Sequence, residues 1–150
     1  MSGSDIGSKV IRINSNLSGN TPVFIREYIG EKLEGRREDL PHFSRVVIRA
    51  RALNNETKNL QFGFLTSDGY TYASPFKLST GWKDISISLS SLKQTNTALR
   101  RAYPGMMNNY FIPKTEIPFE IGKIENWEIS TAGVIESGVL GYEIEYIWLE

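Results

Sequence analysis

Apolar and polar residues alternate over residues 44–53, which read SRVVIRARAL. Side chains two residues apart on a strand point to the same side, so one side of this segment is apolar and the other is largely basic. The apolar side comprises Val46, Ile48, Ala50 and Ala52. The other side comprises Arg45, Val47, Arg49 and Arg51. This pattern predicts a half-buried β-strand.

The same period of two recurs along the chain. Further strands are predicted at 59–67, 70–78, 83–92, 119–130 and 141–150, with shorter ones at 9–16 and 21–30. The 9–16 run leads into a cluster of turn residues, NSNLSGN, and Asp68-Gly69 marks a tight turn. The alternation changes phase near Tyr146, which predicts a β-bulge there. Residues 93–118 show no clear period and are expected to form one long connection.

No segment keeps the apolar stripe of a helix of about ten residues or more. About eight strands with little helix predict an all-β fold, an antiparallel two-sheet β-sandwich. A length of 150 residues suits one domain, expected at 9–150. Residues 1–8, MSGSDIGS, have the small polar composition of a tag or linker remnant.

The composition excludes several kinds of partner and site. With 17 basic and 17 acidic residues the chain has no net charge, so it lacks the basic surface that binds nucleic acid. It has no cysteine and one histidine, His42, which excludes disulfides, thiolate metal sites and histidine-based catalytic triads within the chain. No apolar run of about 18 residues is present to span a membrane.

Polar residues on the outward side of the predicted strands form a first candidate site. They are Arg49, Arg51, Gln61, Ser86, Ser88, Glu128, Glu143 and Glu145. As a solvated face, their ion pairs would contribute under about 1 kcal/mol each. Alternatively, these planar donors and carboxylate acceptors line a groove that holds sugar hydroxyl groups.

Two of these carboxylates would suffice for glycoside hydrolysis, which uses a pair about 5 to 9.5 Å apart. Glu143 with Glu145 or Glu128 is the candidate pair. Neighbouring arginines lower a carboxyl pKa, whereas the general acid needs a raised one. The chain is therefore expected not to be an enzyme.

Aromatic residues form a second candidate site. They are Tyr70, Tyr72, Trp82, Tyr103, Tyr110 and Phe111. Trp82 and Phe111 are expected mainly to fill the core or cap its edge, whereas the tyrosines are expected to stack on sugar rings. In residues 99–113, LRRAYPGMMNNYFIP, Arg100 and Arg101 precede Tyr103. This segment is expected to be a binding loop, a plug over one end of the sandwich, or both, and its arginines favour an acidic sugar.

Several of these segments, in this order, resemble a known family. RVVIRARAL, FGFLTSDGYTYASPFKLSTGWKDISISLSSL, a Tyr-Pro loop, FEIGKIENWEIS and GYEIEYIWLE are similar to the jelly-roll, galactose-binding-like carbohydrate-binding modules attached to bacterial polysaccharide-degrading enzymes. The resemblance covers about residues 44–150. It implies a jelly roll that binds glycan without catalysis and keeps its parent enzyme on the substrate, in the periplasm, at the cell surface or outside the cell.

The leading hypothesis is thus a non-catalytic module that binds a polysaccharide or oligosaccharide and targets an attached catalytic domain to it. The predicted ligand-binding residues are Arg49, Arg51, Gln61, Tyr70, Tyr72, Arg100 and Tyr103. The alternative is an accessory sandwich that packs on a catalytic domain without binding sugar. No cofactor is expected apart from a structural calcium ion, for which Glu34, Asp39 and Glu150 are candidate ligands although no spaced calcium motif exists.

Overall fold

The alternating segment at 44–53 forms a strand from Arg45 to Ala52 in the computed structural model, which describes residues 10–17, 23–55, 59–98, 110–131 and 138–150. The strands are β1 (Ile11–Leu17), β2 (Phe24–Tyr28), β3 (Arg45–Ala52), β4 (Asn59–Thr66), β5 (Thr71–Lys77), β6 (Lys83–Ser88), β7 (Lys93–Thr95), β8 (Thr97–Ala98), β9 (Tyr110–Phe111), β10 (Ile124–Ser130) and β11 (Gly138–Leu149). One short α-helix, α1, spans Gly30–Leu33, and 3₁₀ helices span Leu40–His42, Leu89–Ser91 and Ile121–Lys123.

The strands form two large antiparallel sheets. The four-stranded sheet has the order β1-β11-β3-β6, and the five-stranded sheet has the order β2-β10-β4-β5-β7. A small two-stranded sheet pairs β8 with β9. The predicted all-β, two-sheet antiparallel sandwich with little helix is therefore confirmed.

The core lies between the two large sheets and is built by the alternation read from the sequence. Val46 and Ile48 of β3 are fully buried, as are Phe62 of β4 and Ile129 of β10. These side chains belong to one continuous apolar cluster that draws on both sheets. Burial of this apolar surface, at about 25 cal/mol per Å² removed from water, is what holds the sheets face to face.

The bulge predicted near Tyr146 is confirmed. The register between β11 and β3 shifts between Ile144 and Tyr146, with Ile144 opposite Ala50 and Tyr146 opposite Arg49. The extra residue returns Ile147 to the inner side, where it packs against the core. Tyr146 consequently points outward, on the same side as Arg49.

The short strand predicted at 9–16 is observed as β1, which pairs in register with β11 from Ile11 opposite Ile144 to Leu17 opposite Gly138. Two predicted strands are shorter than expected. The one predicted at 83–92 ends at Ser88, where a 3₁₀ helix turns the chain, and the one predicted at 119–130 begins at Ile124, after another 3₁₀ helix.

The connection predicted at 93–118 contains three short strands, β7, β8 and β9, in its described part. The expected remnant at residues 1–8 lies outside the described residues. None of the helices in the described parts of the chain has the length and apolar character to cross a membrane.

Candidate functional site

The polar residues predicted to share one outward face belong to two faces on opposite sides of the sandwich. Those on the four-stranded sheet are Arg49, Arg51, Ser86, Ser88, Glu143 and Glu145. Gln61 and Glu128 lie on the five-stranded sheet. The prediction of a single face was therefore wrong, because alternation separates inner from outer residues without assigning a strand to a sheet.

Glu143 ties together three strands of the four-stranded sheet. Its Oε1 accepts a hydrogen bond from Arg12 Nε at 2.7 Å, and its Oε2 accepts one from Arg51 Nε at 2.7 Å. Only 2% of Glu143 is exposed. Hydrogen bonds from Arg51 and Arg12 hold the pKa of the Glu143 carboxyl below its ordinary value. This group is thus a fixed anion and is unsuited to act as a general acid.

The predicted ligand residues Arg49 and Arg51 lie next to each other on the outer side of β3. Arg49 Nε donates to Glu145 Oε2 at 2.8 Å, and its Nη1 donates to Asp84 Oδ1 at 3.2 Å. The guanidinium carbon of Arg51 lies 4.8 Å from the centre of the Trp82 ring, and that of Arg49 lies 5.9 Å from it. Trp82 was expected to fill the core or cap its edge, and its contacts with the two arginines place it on the outer face.

Two more aromatic rings lie on the same outer face. Tyr146 and Trp148 are two residues apart on β11, with ring centres 4.7 Å apart and planes tilted by 50°. Trp148 Nε1 donates a hydrogen bond to Glu150 Oε1 at 2.9 Å. Together with the groups on β3 and beside β6, these rings form a surface that we call the platform. Its residues are Arg49, Arg51, Trp82, Tyr146 and Trp148.

The five-stranded sheet carries a buried ion pair on its outer face. Arg26 on β2 donates from Nε to Glu128 Oε2 on β10 at 2.8 Å, and its Nη2 also contacts that oxygen. The side chains are 22% and 5% exposed, respectively. Burial raises the pKa of the Glu128 carboxyl, while Arg26 opposes the rise. A perturbed carboxyl on an outward face marks a candidate functional site.

Small residues lie beside this ion pair. Gly63 of β4 is opposite Glu128 on one side and Ala73 of β5 on the other. A Cβ at position 63 would lie 2.7 Å from the backbone oxygen of Tyr72, so only glycine fits without displacement. Gly63 is buried and Ala73 is partly exposed, and we call these two small residues the floor.

Polar and aromatic groups border this floor. Gln61 is partly exposed and is opposite Ser130 and Pro75 in the sheet. The guanidinium carbon of Arg26 lies 4.7 Å from the centre of the Phe24 ring. Tyr28, which alternates with Arg26 on β2, is 56% exposed. We call this surface the groove. Its residues are Phe24, Arg26, Tyr28, Gln61, Gly63 and Glu128.

The pair β8–β9 forms a wall at one side of the groove. Arg26 Nη2 donates to the carbonyl oxygen of Ala98 at 2.8 Å, and the hydroxyl groups of Thr71 and Thr97 are 2.8 Å apart and buried. These contacts hold β8 against the outer face, and β9 pairs with β8. The predicted ligand residues Arg100 and Tyr103 belong to the segment between these two strands. Both of those predicted ligand residues lie outside the described residues.

The predicted tyrosines of the hairpin face the interior. Only 2% of Tyr72 is exposed, and its hydroxyl donates to the carbonyl oxygen of Ile117 at 2.7 Å. Tyr70 precedes β5, packs against the core and has its ring centre 6.2 Å from that of Phe111. Tyr72 therefore offers no ring face to a ligand. Among the predicted ligand residues that the structure describes, Arg49 and Arg51 lie on one sheet and Gln61 on the other.

A cavity of about 600 Å³ lies between the sheets beside α1. Its walls are mainly aliphatic and aromatic, and they include Ile29, Leu33, Phe43 and Trp127. Charged residues complete the lining, namely Glu27, Lys32, Arg36, Asp39 and Glu145. None of the predicted ligand-binding residues that the structure describes lines this cavity.

No cluster of three histidine, aspartate or glutamate side chains suited to a metal ion occurs among the described residues. Glu34, Asp39 and Glu150, the candidate calcium ligands, are thus not gathered into such a group. Glu150 instead pairs with Arg45 and accepts the hydrogen bond from Trp148.

Comparison with solved structures identifies similar folds. A family 11 carbohydrate-binding module from Clostridium thermocellum, in complex with a β-1,3-1,4-mixed-linked tetrasaccharide, superposes with a TM-score of 0.53 at 12% identity, over 95% of this chain and 84% of that one. The family 11 module of the cellulosomal cellulase Lic26A-Cel5E of Clostridium thermocellum gives 0.51 at 12% identity, over 95% and 83%. The chain has the jelly-roll fold of these modules. Neither a sequence-family model nor a curated protein matches it.

Sequence reasoning missed the residues of β2. Phe24, Arg26 and Tyr28 alternate in FIREY, a period-two signal that places them on one face. The alternation was available in the sequence, but the partner Glu128 lies 102 residues away and only the fold brings it to Arg26.

Proposed function

We propose that this chain is a carbohydrate-binding module and that the groove holds the glycan. The proposal rests on one observation: a buried Arg26–Glu128 pair stands beside a floor of Gly63 and Ala73 on an outward face. The Arg26 side chain stays 22% exposed while the buried Glu128 carboxylate fixes its orientation, so Arg26 supplies a directed donor for hydroxyl groups, and the small residues beside it leave room for a sugar ring.

Aromatic residues at the border of the groove support the same ligand class. Tyr28 and Phe24 present rings that can stack on the C–H face of a pyranose, while Gln61 offers both a donor and an acceptor. The carboxylate of Glu128 balances the guanidinium of Arg26, so the groove favours a neutral sugar over an acidic one. One of the modules with this fold was solved with a β-1,3-1,4-mixed-linked tetrasaccharide, which supports a saccharide as the ligand class.

Binding without catalysis is part of the proposal. Both oxygens of Glu143 accept hydrogen bonds from arginines, and Glu128 lies on the other sheet. These two carboxylates therefore do not form the catalytic pair of a glycosidase. By the same proposal the module directs an attached glycan-degrading domain to its substrate in a secreted protein. A structural calcium ion remains part of the proposal without assigned ligands.

Isothermal titration against a panel of polysaccharides tests the proposal. The panel contains β-1,3-1,4-mixed-linked glucan, cellulose, xylan and polygalacturonate. We expect binding to a neutral member and a loss of at least about tenfold in affinity, or 1.4 kcal/mol, for Tyr28→Ala or Gln61→Ala. Asn14→Ala, which removes an exposed amide from β1 of the other sheet, is the matched control and should bind like the wild type.

Absence of binding to every member by the folded protein would refute the proposal. That result would favour the accessory sandwich that packs on a catalytic domain, for which the same variants would alter interdomain contact and leave sugar affinity unmeasurable.

A further inference from the structure

The platform lies on the side of the sandwich opposite the groove and has no part in the proposed glycan site there. Its rings point away from the core, since Tyr146 and Trp148 are opposite Arg49 and Val47, which lie on the outer side of β3. All three platform rings are partly exposed. Aromatic side chains in such positions add little to the core and are available to a ligand.

The platform rings are held in place before any ligand arrives. Arg51 and Arg49 cover the side of the Trp82 ring that is turned toward β3. The two guanidinium groups are themselves fixed by Glu143 and Glu145 at 2.7 and 2.8 Å. A surface that is already ordered loses little side-chain entropy on binding.

The charges of the platform are balanced. The carboxylates of Glu143 and Glu145 neutralise the two guanidinium groups, so the face has the electrostatic character of neither a nucleic-acid site nor a site for acidic polymers. What remains is a set of flat rings beside guanidinium and carboxylate groups. That combination complements a neutral, hydroxyl-rich ligand with apolar ring faces.

The spacing of the rings fits an extended chain. Strand β3 lies between β11 and β6, which puts Trp148 and Trp82 about 10 Å apart across the sheet. Trp148 is opposite Val47, whereas Trp82 comes just before Lys83, which is opposite Ala50, so the two rings are also offset by about 13 Å along the strands. Rings along that diagonal contact separate units of an extended polysaccharide and leave the arginines of β3 beneath the units between them.

We propose that the platform is a second glycan-binding surface that stacks a neutral polysaccharide chain on Trp82 and on the Tyr146–Trp148 pair. This inference rests on the proposed function of the chain as a carbohydrate-binding module. With the groove on the opposite side, the module is then bivalent toward polysaccharide. Two separated sites raise the apparent affinity for a polymer through effective concentration and let one molecule link two chains.

The test uses β-1,3-1,4-mixed-linked tetrasaccharide and the corresponding soluble glucan. Titration with the tetrasaccharide should give two sites per wild-type chain, one site for Trp82→Ala combined with Trp148→Ala, and one site for Tyr28→Ala combined with Gln61→Ala. Light scattering with the polymer should show cross-linking by the wild type and none by either double variant. Trp82→Phe keeps a ring and should retain the platform site. Asn14→Ala, which removes an exposed amide from β1 of the same sheet outside the platform, is the matched control.

Each outcome separates the two proposals. A remaining site in the folded Tyr28→Ala/Gln61→Ala variant supports the platform. Loss of all binding in that variant, with one site in the wild type and no effect of the tryptophan variants, overturns the platform and leaves the groove as the only glycan site. Absence of tetrasaccharide binding by the folded wild type overturns the platform for this ligand, while the wider panel separately decides the proposed function.

Discussion

Glu128 on β10 accepts a hydrogen bond from Arg26 on β2 at 2.8 Å, on an outer face of the sandwich where the carboxylate side chain is only 5% exposed. Burying such a pair costs desolvation free energy that its mutual attraction often fails to offset, so an apolar pair of similar volume is commonly as stable. We therefore interpret the pair as a recognition feature of the groove, with its fold stabilisation secondary.

Replacing one member of the Arg26–Glu128 pair tests the balance between its desolvation cost and its mutual attraction. Arg26→Met leaves the Glu128 carboxylate buried without its countercharge, and we expect a loss of about 3 kcal/mol in the free energy of unfolding. Arg26→Met combined with Glu128→Leu should recover most of the loss. Urea denaturation followed by tryptophan fluorescence measures both values.

The control for this comparison is Arg45→Met. Arg45 pairs with Glu150, and the two side chains are 51% and 40% exposed. An exposed pair contributes under about 1 kcal/mol, so this variant should stay within that range of the wild type. Equal losses for Arg26→Met and Arg45→Met would contradict the interpretation that the first pair is buried.

Acid should weaken the four-stranded sheet through Glu143. The folded-state pKa of this carboxyl is lowered by hydrogen bonds from Arg51 and Arg12, whereas the unfolded chain has the ordinary value of 4.5. The stabilisation is therefore fully present above that ordinary value and is lost as the pH falls through the lower folded-state pKa. Glu143→Gln should be less stable than the wild type at about pH 7, and the gap should close toward about pH 2.

Urea midpoints measured across that range of pH check the prediction. Glu38→Gln, which removes an exposed carboxylate, is the matched control and should show no closing gap. A difference between Glu143→Gln and the wild type that stays constant from neutral to acid pH would refute the linkage.

The alternation of β3, β4, β10 and β11 predicted the sandwich correctly because it records burial, and burial is local to each strand. The bulge at Tyr146 was visible for the same reason, since Ile147 breaks the phase. Pairing is not local. The hydrogen bond between Arg26 and Glu128 connects residues 102 apart in the sequence, and neither segment alone specifies its partner.

The candidate site was harder to predict for two physical reasons. Alternation gave the outer side of each strand, but not the sheet, so Gln61 and Arg49 were placed together although they face opposite directions. An aromatic residue in a strand has the same pattern whether it fills the core, like Tyr72, or lies on the surface, like Trp148. The polar groups around the ring distinguish a core position from a surface position, and these groups come from distant segments of the chain.

Gly63 is predicted to tolerate no side chain. In Gly63→Ala the added Cβ would lie 2.7 Å from the oxygen of Tyr72 and 3.0 Å from the Cβ of Ala73, which forces β4 and β5 apart. We expect a loss of about 1–3 kcal/mol in the free energy of unfolding. In Gly122→Ala the new Cβ meets no atom within 4 Å, so that control should be neutral or slightly stabilising. Equal midpoints in thermal unfolding for the two variants would be inconsistent with the close approach.

Tyr72→Phe separates a structural tyrosine from a binding one. The variant removes the hydroxyl that donates to Ile117 at 2.7 Å and should lower the free energy of unfolding by about 1 kcal/mol. Because only 2% of Tyr72 is exposed, glycan affinity should not change. Tyr28→Ala is the converse variant, expected to weaken binding by about tenfold with stability within about 0.5 kcal/mol of the wild type. Chemical denaturation and titration of the same samples give both quantities, and loss of binding in a stably folded Tyr72→Phe protein would restore Tyr72 as a ligand residue.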